Sequence, residues 1–331
     1  MKIAIITDGN NNLGMGHVYQ SVTLAGELSK EIDERSKIFF ITKSDQIVIA
    51  RISEAGFDVY RYSDDDAILN ALVSEAPDRI IFDKLDVAPK LARQIKEKIG
   101  CKLIIFTNLT EANQYADITV LAGMGSNFKN VREKDAISGA VHYYGPKYWM
   151  LRPEFFIYTQ RTKKPLSLVK KIMLIFGGVD ESNLTSIVLN ELLSMNIDFE
   201  ILVVVGAAFK HHEELNSITA KNRFTKSKFQ IAQNLSNVAE TMYNSDVVFT
   251  SPGLSYYEAL ATGTPVVGFH QNEMQRDVHK EYLKTLDKSE IFKLYSIIEN
   301  KSFIFPDDPL IASMEIGQGN GELIQIILSQ D

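Results

Sequence analysis

Three stretches of this chain join glycines to a titratable side chain and the start of a helix, a combination suited to anion binding and proton transfer. The first is Asp8-Gly9-Asn10-Asn11-Asn12-Leu13-Gly14-Met15-Gly16-His17. Glycines such as Gly14 and Gly16 let the backbone approach a ligand closely. A helix opening behind them offers free N–H groups and the positive end of its dipole. His17, in the first turn, is the candidate general base. The positive helix end is expected to lower its pKa and keep the imidazole neutral near pH 7. A helix-start histidine in an ordinary turn is the alternative.

The second stretch, Phe176-Gly177-Gly178-Val179-Asp180-Glu181-Ser182-Asn183-Leu184-Thr185, follows the same logic. Gly177 and Gly178 read as a hinge and a phosphate approach, with Asp180 or Ser182 capping the helix that starts near Asn183. The third runs from Thr250-Ser251-Pro252-Gly253-Leu254-Ser255 through Tyr256-Tyr257-Glu258 to Gly263 and Pro265. Gly253 and the backbone N–H groups of Leu254 and Ser255 suit a diphosphate. Glu258, one turn into that helix, suits a pair of ribose hydroxyls.

The elements that must position these groups alternate along the chain. Apolar runs at 3–7, 37–42, 59–62, 79–83 and 102–107 read as strands, with helical periodicity at 17–30, 44–55, 65–76 and 89–99 between them. A second series has strands at 171–176, 200–205, 229–232, 247–250 and 265–269, with helices at 184–195, 238–244 and from 256. Near-continuous apolar strands separated by helices imply parallel sheets covered on both faces. The fold class is therefore α/β, with two Rossmann-like doubly wound domains facing a central cleft. The rhythm breaks over 123–152, and the charged stretch Arg161-Thr162-Lys163-Lys164-Pro165 suits a linker. The expected division is 1–158 for the sugar or acceptor side, 159–310 for the nucleotide side, and a C-terminal helix at 311–331 packing back toward the first domain.

A chain of 331 residues fits two domains, and a net charge of −7 argues against a nucleic-acid surface. No apolar run reaches ~18 residues, so no membrane span is expected, and a start without signal-peptide architecture points to the cytoplasm. The single cysteine, Cys101, excludes an intrachain disulfide and Cys-cluster metal sites, and reads as inert. His211-His212-Glu213-Glu214 and Asp64-Asp65-Asp66 could suggest metal binding, yet both read better as helix starts. No metal and no cofactor are expected.

The third stretch, continued through Ala259-Leu260-Ala261-Thr262-Gly263-Thr264-Pro265-Val266-Val267 to Gln271-Asn272-Glu273-Met274-Gln275, resembles the donor-binding signature of GT-B enzymes related to the lipid II-forming GlcNAc transferase. Gly14-x-Gly16-His17 together with Gly177-Gly178-x-Asp180-x-x-Asn183-Leu184 is more closely similar to the nucleotide-sugar hydrolase of pseudaminic acid biosynthesis and its spore-coat polysaccharide relatives. Gly145-Pro146-Lys147-Tyr148-Trp149-Met150-Leu151-Arg152-Pro153-Glu154-Phe155 resembles the interdomain crossover of that family. The resemblance runs in order from about residue 1 to 280.

It implies a metal-independent enzyme that binds UDP in its C-terminal domain and cleaves the sugar from it. Glu258 would then contact the ribose, Gly253, Leu254 and Ser255 the diphosphate, and Asn272 and Gln275 the donor. His17 would lie near the anomeric centre, with Tyr148 and Arg152 at the domain boundary. Gln20, Asp83 and Asn108 would bind substrate on the sugar side, which departs from the pattern: Gln20 stands where the family has arginine, Leu85 where a tyrosine commonly follows Asp83, and Thr107-Asn108 where two aspartates follow the fifth strand. The expectation is an inverting UDP-sugar hydrolase releasing an amino- or deoxy-sugar, a monomer or weak homodimer. A GT-B glycosyltransferase and a non-catalytic nucleotide-sugar-binding protein are the alternatives.

Overall fold

The structure, a computed structural model, describes residues 1–331 except 10–13, 124–128, 160–165, 207, 223–224, 234, 280–282, 284 and 330–331. The linker expected at 161–165 and Asn10 to Leu13 of the first glycine loop lie outside the described residues. The chain forms two compact units, Met1–Leu151 with Gly317–Asp331, and Arg152–Ile316. The division therefore falls seven residues before the sequence-based boundary at 158.

Unit 1 comprises β1 (Lys2–Thr7), α1 (Gly16–Glu31), β2 (Lys37–Thr42), α2 (Gln46–Glu54), β3 (Asp58–Arg61), α3 (Asp65–Glu75), β4 (Arg79–Asp83), α4 (Pro89–Lys98), β5 (Lys102–Phe106), β6 (Ile118–Leu121), β7 (Val131–Lys134) and β8 (Val141–Tyr144). Its sheet order is β3-β2-β1-β4-β5-β6-β8-β7. Every pairing is parallel except β7 with β8. Successive strand residues alternate between two apolar layers. Ile3, Ile5, Phe40, Ile81 and Ile104 face one layer with Leu24 and Leu28 of α1, while Ala4, Ile6, Phe39, Ile80 and Phe82 face the other with Leu72 and Ile95. This two-sided burial is why the strands read as unbroken apolar runs. The carboxylate of Asp64 accepts from the backbone N–H of Ala67 at 2.8 Å, so the acidic triplet opens a helix.

Unit 2 begins with α5 (Pro153–Thr159), then β9 (Lys171–Ile175), α6 (Leu184–Ser194), β10 (Glu200–Val205), α7 (His212–Lys221), β11 (Lys228–Gln233), α8 (Val238–Asn244), β12 (Val247–Thr250), α9 (Leu254–Ala261), β13 (Val266–Phe269), α10 (Glu273–His279), β14 (Thr285–Leu286), α11 (Leu294–Glu299) and α12 (Pro309–Ser313). Its all-parallel sheet has the order β11-β10-β9-β12-β13-β14, the 3-2-1-4-5-6 arrangement of a dinucleotide-binding fold. Phe155 is fully buried, and Tyr158 stacks on Tyr243 of α8 with ring centroids 4.8 Å apart. These contacts assign the 153–159 segment to the second unit.

The chain then returns to unit 1 as α13 (Asn320–Leu328), whose Leu323, Ile324 and Ile327 enter the core layer beside α1. Arg79 and Lys102, from neighbouring strands, donate to the carbonyl oxygens of Ile326, Ile327 and Ser329. Two cations thus satisfy the helix end, where the dipole is negative.

Candidate functional site

In each sheet the chain runs outward on one side of the first strand and then on the other, so the order reverses between β1 and β4 and between β9 and β12. A crevice opens at the carboxyl ends of the strands at such a switch point, where ligands bind in open α/β sheets. All three glycine stretches lie at these two places.

In unit 1 the register pairs Thr7 with Asp83, which sets the end of β4 beside the loop leading into α1. Asp83 is 1% exposed and accepts four hydrogen bonds. Its Oδ1 accepts from His17 Nδ1 at 2.8 Å and from Thr107 Oγ1 at 2.7 Å. Its Oδ2 accepts from Gln20 Nε2 at 3.0 Å and Ser21 Oγ at 3.1 Å. A carboxylate only accepts, so it fixes the proton of His17 on Nδ1 and leaves Nε2 as the basic nitrogen.

The expected direction of the His17 pKa is overturned. Burial does favour the neutral ring, but the hydrogen bond to Asp83 and that carboxylate's charge outweigh it and hold His17 above its ordinary value. A full charge at 2.8 Å dominates the partial charge of a helix end. Gln20, which the family pattern would make a cation, instead orients Asp83.

A second buried pair lies next to this cluster. Lys84 Nζ is 2.7 Å from Asp8 Oδ2 and 3.1 Å from Asp86 Oδ1. Asp8 Oδ1 also accepts from the backbone N–H of Lys43 and the hydroxyl of Thr42. Burial alone would raise Asp8, yet Lys84 and these donors hold its carboxyl below the usual range.

Asn108 lies close by but is occupied. Its Oδ1 accepts from the Val87 N–H at 2.9 Å, and its amide donates to Thr110 and Asn113. Its side chain brackets the loops after β4 and β5. Tyr148 is likewise a core residue, 4% exposed and edge-on to Tyr143.

Unit 2 presents different chemistry. Gly177 has φ +86°, a conformation that favours glycine. A Cβ on Gly206 would stand 2.4 Å from the Cα of Gly178, so only glycine lets the β10 end pass this loop. Asp180 Oδ1 and Oδ2 accept from the Leu184 and Thr185 N–H groups at 2.9 and 2.7 Å; of the two candidate caps, Asp180 holds the first turn of α6. The next stretch turns at Gly253 into α9, whose first residues are Leu254 and Ser255.

Glu258 is 4% exposed on α9. Burial pushes its carboxyl up to about 7, opposed by Arg152, whose Nη2 is 3.5 Å from Oε1. Arg152 also pairs with Glu154 at 3.0 Å and lies over the ring of Phe155. The crossover arginine is thus the counter-ion of Glu258.

Gln271 is the residue that sequence reasoning left unassigned. Its Nε2 donates to the carbonyl of Phe176 and to Ser251 Oγ, both at 2.9 Å, while its backbone carbonyl accepts from Ser182 Oγ at 3.1 Å. One side chain therefore ties together the loops after β9, β12 and β13. Gln275 Oε1 in turn accepts from the Gln271 N–H at 2.8 Å, and Asn272 Oδ1 from the Gln275 N–H at 2.9 Å. The Gln-Asn-x-x-Gln spacing carried that signal, with its first member the structural one.

Among the described residues no three His, Cys, Asp or Glu side chains gather as a metal site. Cys101, just before β5, has its thiol pushed up to about 11 by burial, as befits an unreactive core group. Among the described residues no helix is long and apolar enough to cross a membrane.

Solved structures share this architecture over nearly all of the chain. MurG of Acinetobacter baumannii covers 99% of it, and is itself covered over 99%, with a TM-score of 0.66 at 12% identity. UDP-GlcNAc 2-epimerase from Neisseria meningitidis, bound to UDP-GlcNAc, matches over 99% of this chain and 100% of its own, with a TM-score of 0.59 at 9% identity. At such identities the likeness shows the fold alone, and the fold is GT-B.

Among curated proteins, Uncharacterized protein MJ1062 of Methanocaldococcus jannaschii is 42% identical over 99% of the chain, which spans only 66% of that relative's length. Spore coat polysaccharide biosynthesis protein SpsG of Bacillus subtilis is 26% identical over 96% of the chain and 93% of its own length. By sequence, then, the chain is similar over nearly its whole length to a protein named for polysaccharide biosynthesis, and by architecture it is GT-B. No protein-family model matches it.

Proposed function

We propose that this protein hydrolyses a UDP-sugar with inversion, releasing UDP and a free amino- or deoxy-sugar for nonulosonic acid or surface-polysaccharide synthesis. The observation that carries the reading is the bond between His17 Nδ1 and the buried carboxylate of Asp83 at 2.8 Å. It leaves Nε2 free to take a proton and prepares the site for the imidazolium that results. In the proposed reaction, water attacks the anomeric carbon as Nε2 removes its proton. The bond from that carbon to the diphosphate oxygen breaks, and UDP leaves with the electron pair. Unit 2 would hold the nucleotide, with Gly177, Gly178, Gly253, Leu254 and Ser255 toward the diphosphate and Glu258 toward the ribose. The polysaccharide role in the name of SpsG and the UDP-sugar named with the epimerase support this substrate class. Localisation in the cytoplasm and a monomeric or weakly dimeric state belong to the same proposal.

The test is UDP release from a panel of UDP-sugars, with and without acceptor sugars. Release without acceptor, lost in His17→Asn, is the expected result. Release that requires an acceptor would assign the same base to a glycosyltransferase. Binding with no turnover under any condition would overturn both enzymatic readings.

A further inference from the structure

Thr107 is the β-branched member of the non-glycine residues that the described part of the chain holds at positive φ, with φ +57°. The left-handed region crowds a branched Cβ, so a threonine stays there only where its surroundings over-determine it. They do so here. The Thr107 N–H donates to the carbonyl of Val120 at 2.9 Å, the Leu109 N–H to that of Leu85 at 2.9 Å, and the Val87 N–H to Asn108 Oδ1 at 2.9 Å. The loops after β4 and β5 are thereby tied to one another and to β6. The outcome is a hydroxyl 2.7 Å from Asp83 Oδ1, the same oxygen that receives the His17 proton, and 3.4 Å from His17 Nδ1 itself.

We propose that Thr107 is a positioning residue for His17: its strained backbone aims a hydroxyl at the shared oxygen of Asp83 and so fixes the direction from which that oxygen meets the imidazole. The hydroxyl also carries part of the carboxylate's charge, and so limits how strongly Asp83 holds the imidazolium. The other charges acting on His17 are Asp86, which favours the protonated ring, and Lys84, which opposes it. This role rests on the reading of His17 as the base, and it accounts for a threonine at a position where glycine would relieve the backbone.

The experiment is an NMR titration of His17 in the full chain, beside kinetics and thermal melting, for Thr107→Val, Thr107→Ser and Thr107→Gly. Thr107→Val keeps the shape and loses the donor; its His17 midpoint is expected to rise by about half a pH unit and turnover to fall by about tenfold. Thr107→Ser, which keeps the hydroxyl, should stay within about twofold of the parent in turnover with an unmoved midpoint. Thr107→Gly should melt no lower than the parent, because strain is released, and still show the valine variant's shift. A His17 midpoint unmoved in Thr107→Val would overturn the proposal, and so would a serine variant that behaves like valine. The titration needs no substrate, so a shifted midpoint in a protein inactive on every UDP-sugar would support the positioning role and overturn the hydrolase reading instead.

Discussion

The two switch points are built on the same strand order and equipped oppositely. At the β1–β4 junction the ends of the sheet carry buried charge: Asp83 with four donors, His17 on one of its oxygens, and Lys84 between Asp8 and Asp86. At the β9–β12 junction they carry glycines, helix starts and the neutral amide of Gln271; the buried carboxylates there, Asp180 and Glu258, respectively cap a helix start and face Arg152. Charge held in a low-dielectric setting tunes proton affinity, whereas backbone N–H groups bind an anion without titrating. Topology decides where a ligand can lie; side chains decide whether the place moves a proton or holds a phosphate.

The contrast can be broken at either end. Asp83→Asn should have the largest effect. It removes the charge that lifts His17 and allows the amide to donate to Nδ1, selecting the wrong tautomer; turnover should fall by about 10²–10⁴-fold while UDP affinity is unchanged. Steady-state kinetics beside calorimetric UDP titration checks this, and a parallel loss of UDP affinity would erase the division of labour.

Gly206→Ala attacks the other junction. Its Cβ, 2.4 Å from the Cα of Gly178, must push the glycine loop aside. Stability should fall by about 1–3 kcal/mol in denaturant titrations, and UDP should bind more weakly with saturated turnover nearly preserved.

Glu258→Gln gives the smallest and most diagnostic change. Burial raises this acid, so between its ordinary pKa and about 7 the folded state binds more protons than the unfolded chain. Its ionisation therefore opposes folding, and the parent should lose stability as pH rises through that window. The glutamine variant should show a flatter profile from pH 5 to 8, differing by on the order of 1–3 kcal/mol at the upper end. Identical profiles would mean that Arg152 neutralises Glu258 fully.

Most of the doubly wound framework was legible because its strands are apolar on both faces and its helices have clear stops. The last three strands of unit 1, β6 to β8, were not. Val131-Arg132-Glu133-Lys134 is an exposed edge strand paired antiparallel to β8, so it lacks the apolar run that marks the others. At the site, His17 was legible from its glycine context. Asp83 was expected on the sugar side, but its bond to His17 was not legible, because 66 residues separate the two and only the strand order joins them. That omission also reversed the inferred direction of the pKa, since a helix end was weighed without the carboxylate opposite it. Gln271 escaped for the same reason: its two partner loops, after β9 and β12, meet it only in the folded unit.

The return of α13 to the first sheet has a consequence for how the chain is made. Leu323, Ile324 and Ile327 complete a core layer that begins at Ile3, and the carbonyls that Arg79 and Lys102 hold belong to residues 326–329. During synthesis, unit 1 therefore waits for residues 317–329, and unit 2, whose residues are contiguous, can close before it. His17 is translated early, but the core beneath it is complete only once residues 323–327 have emerged.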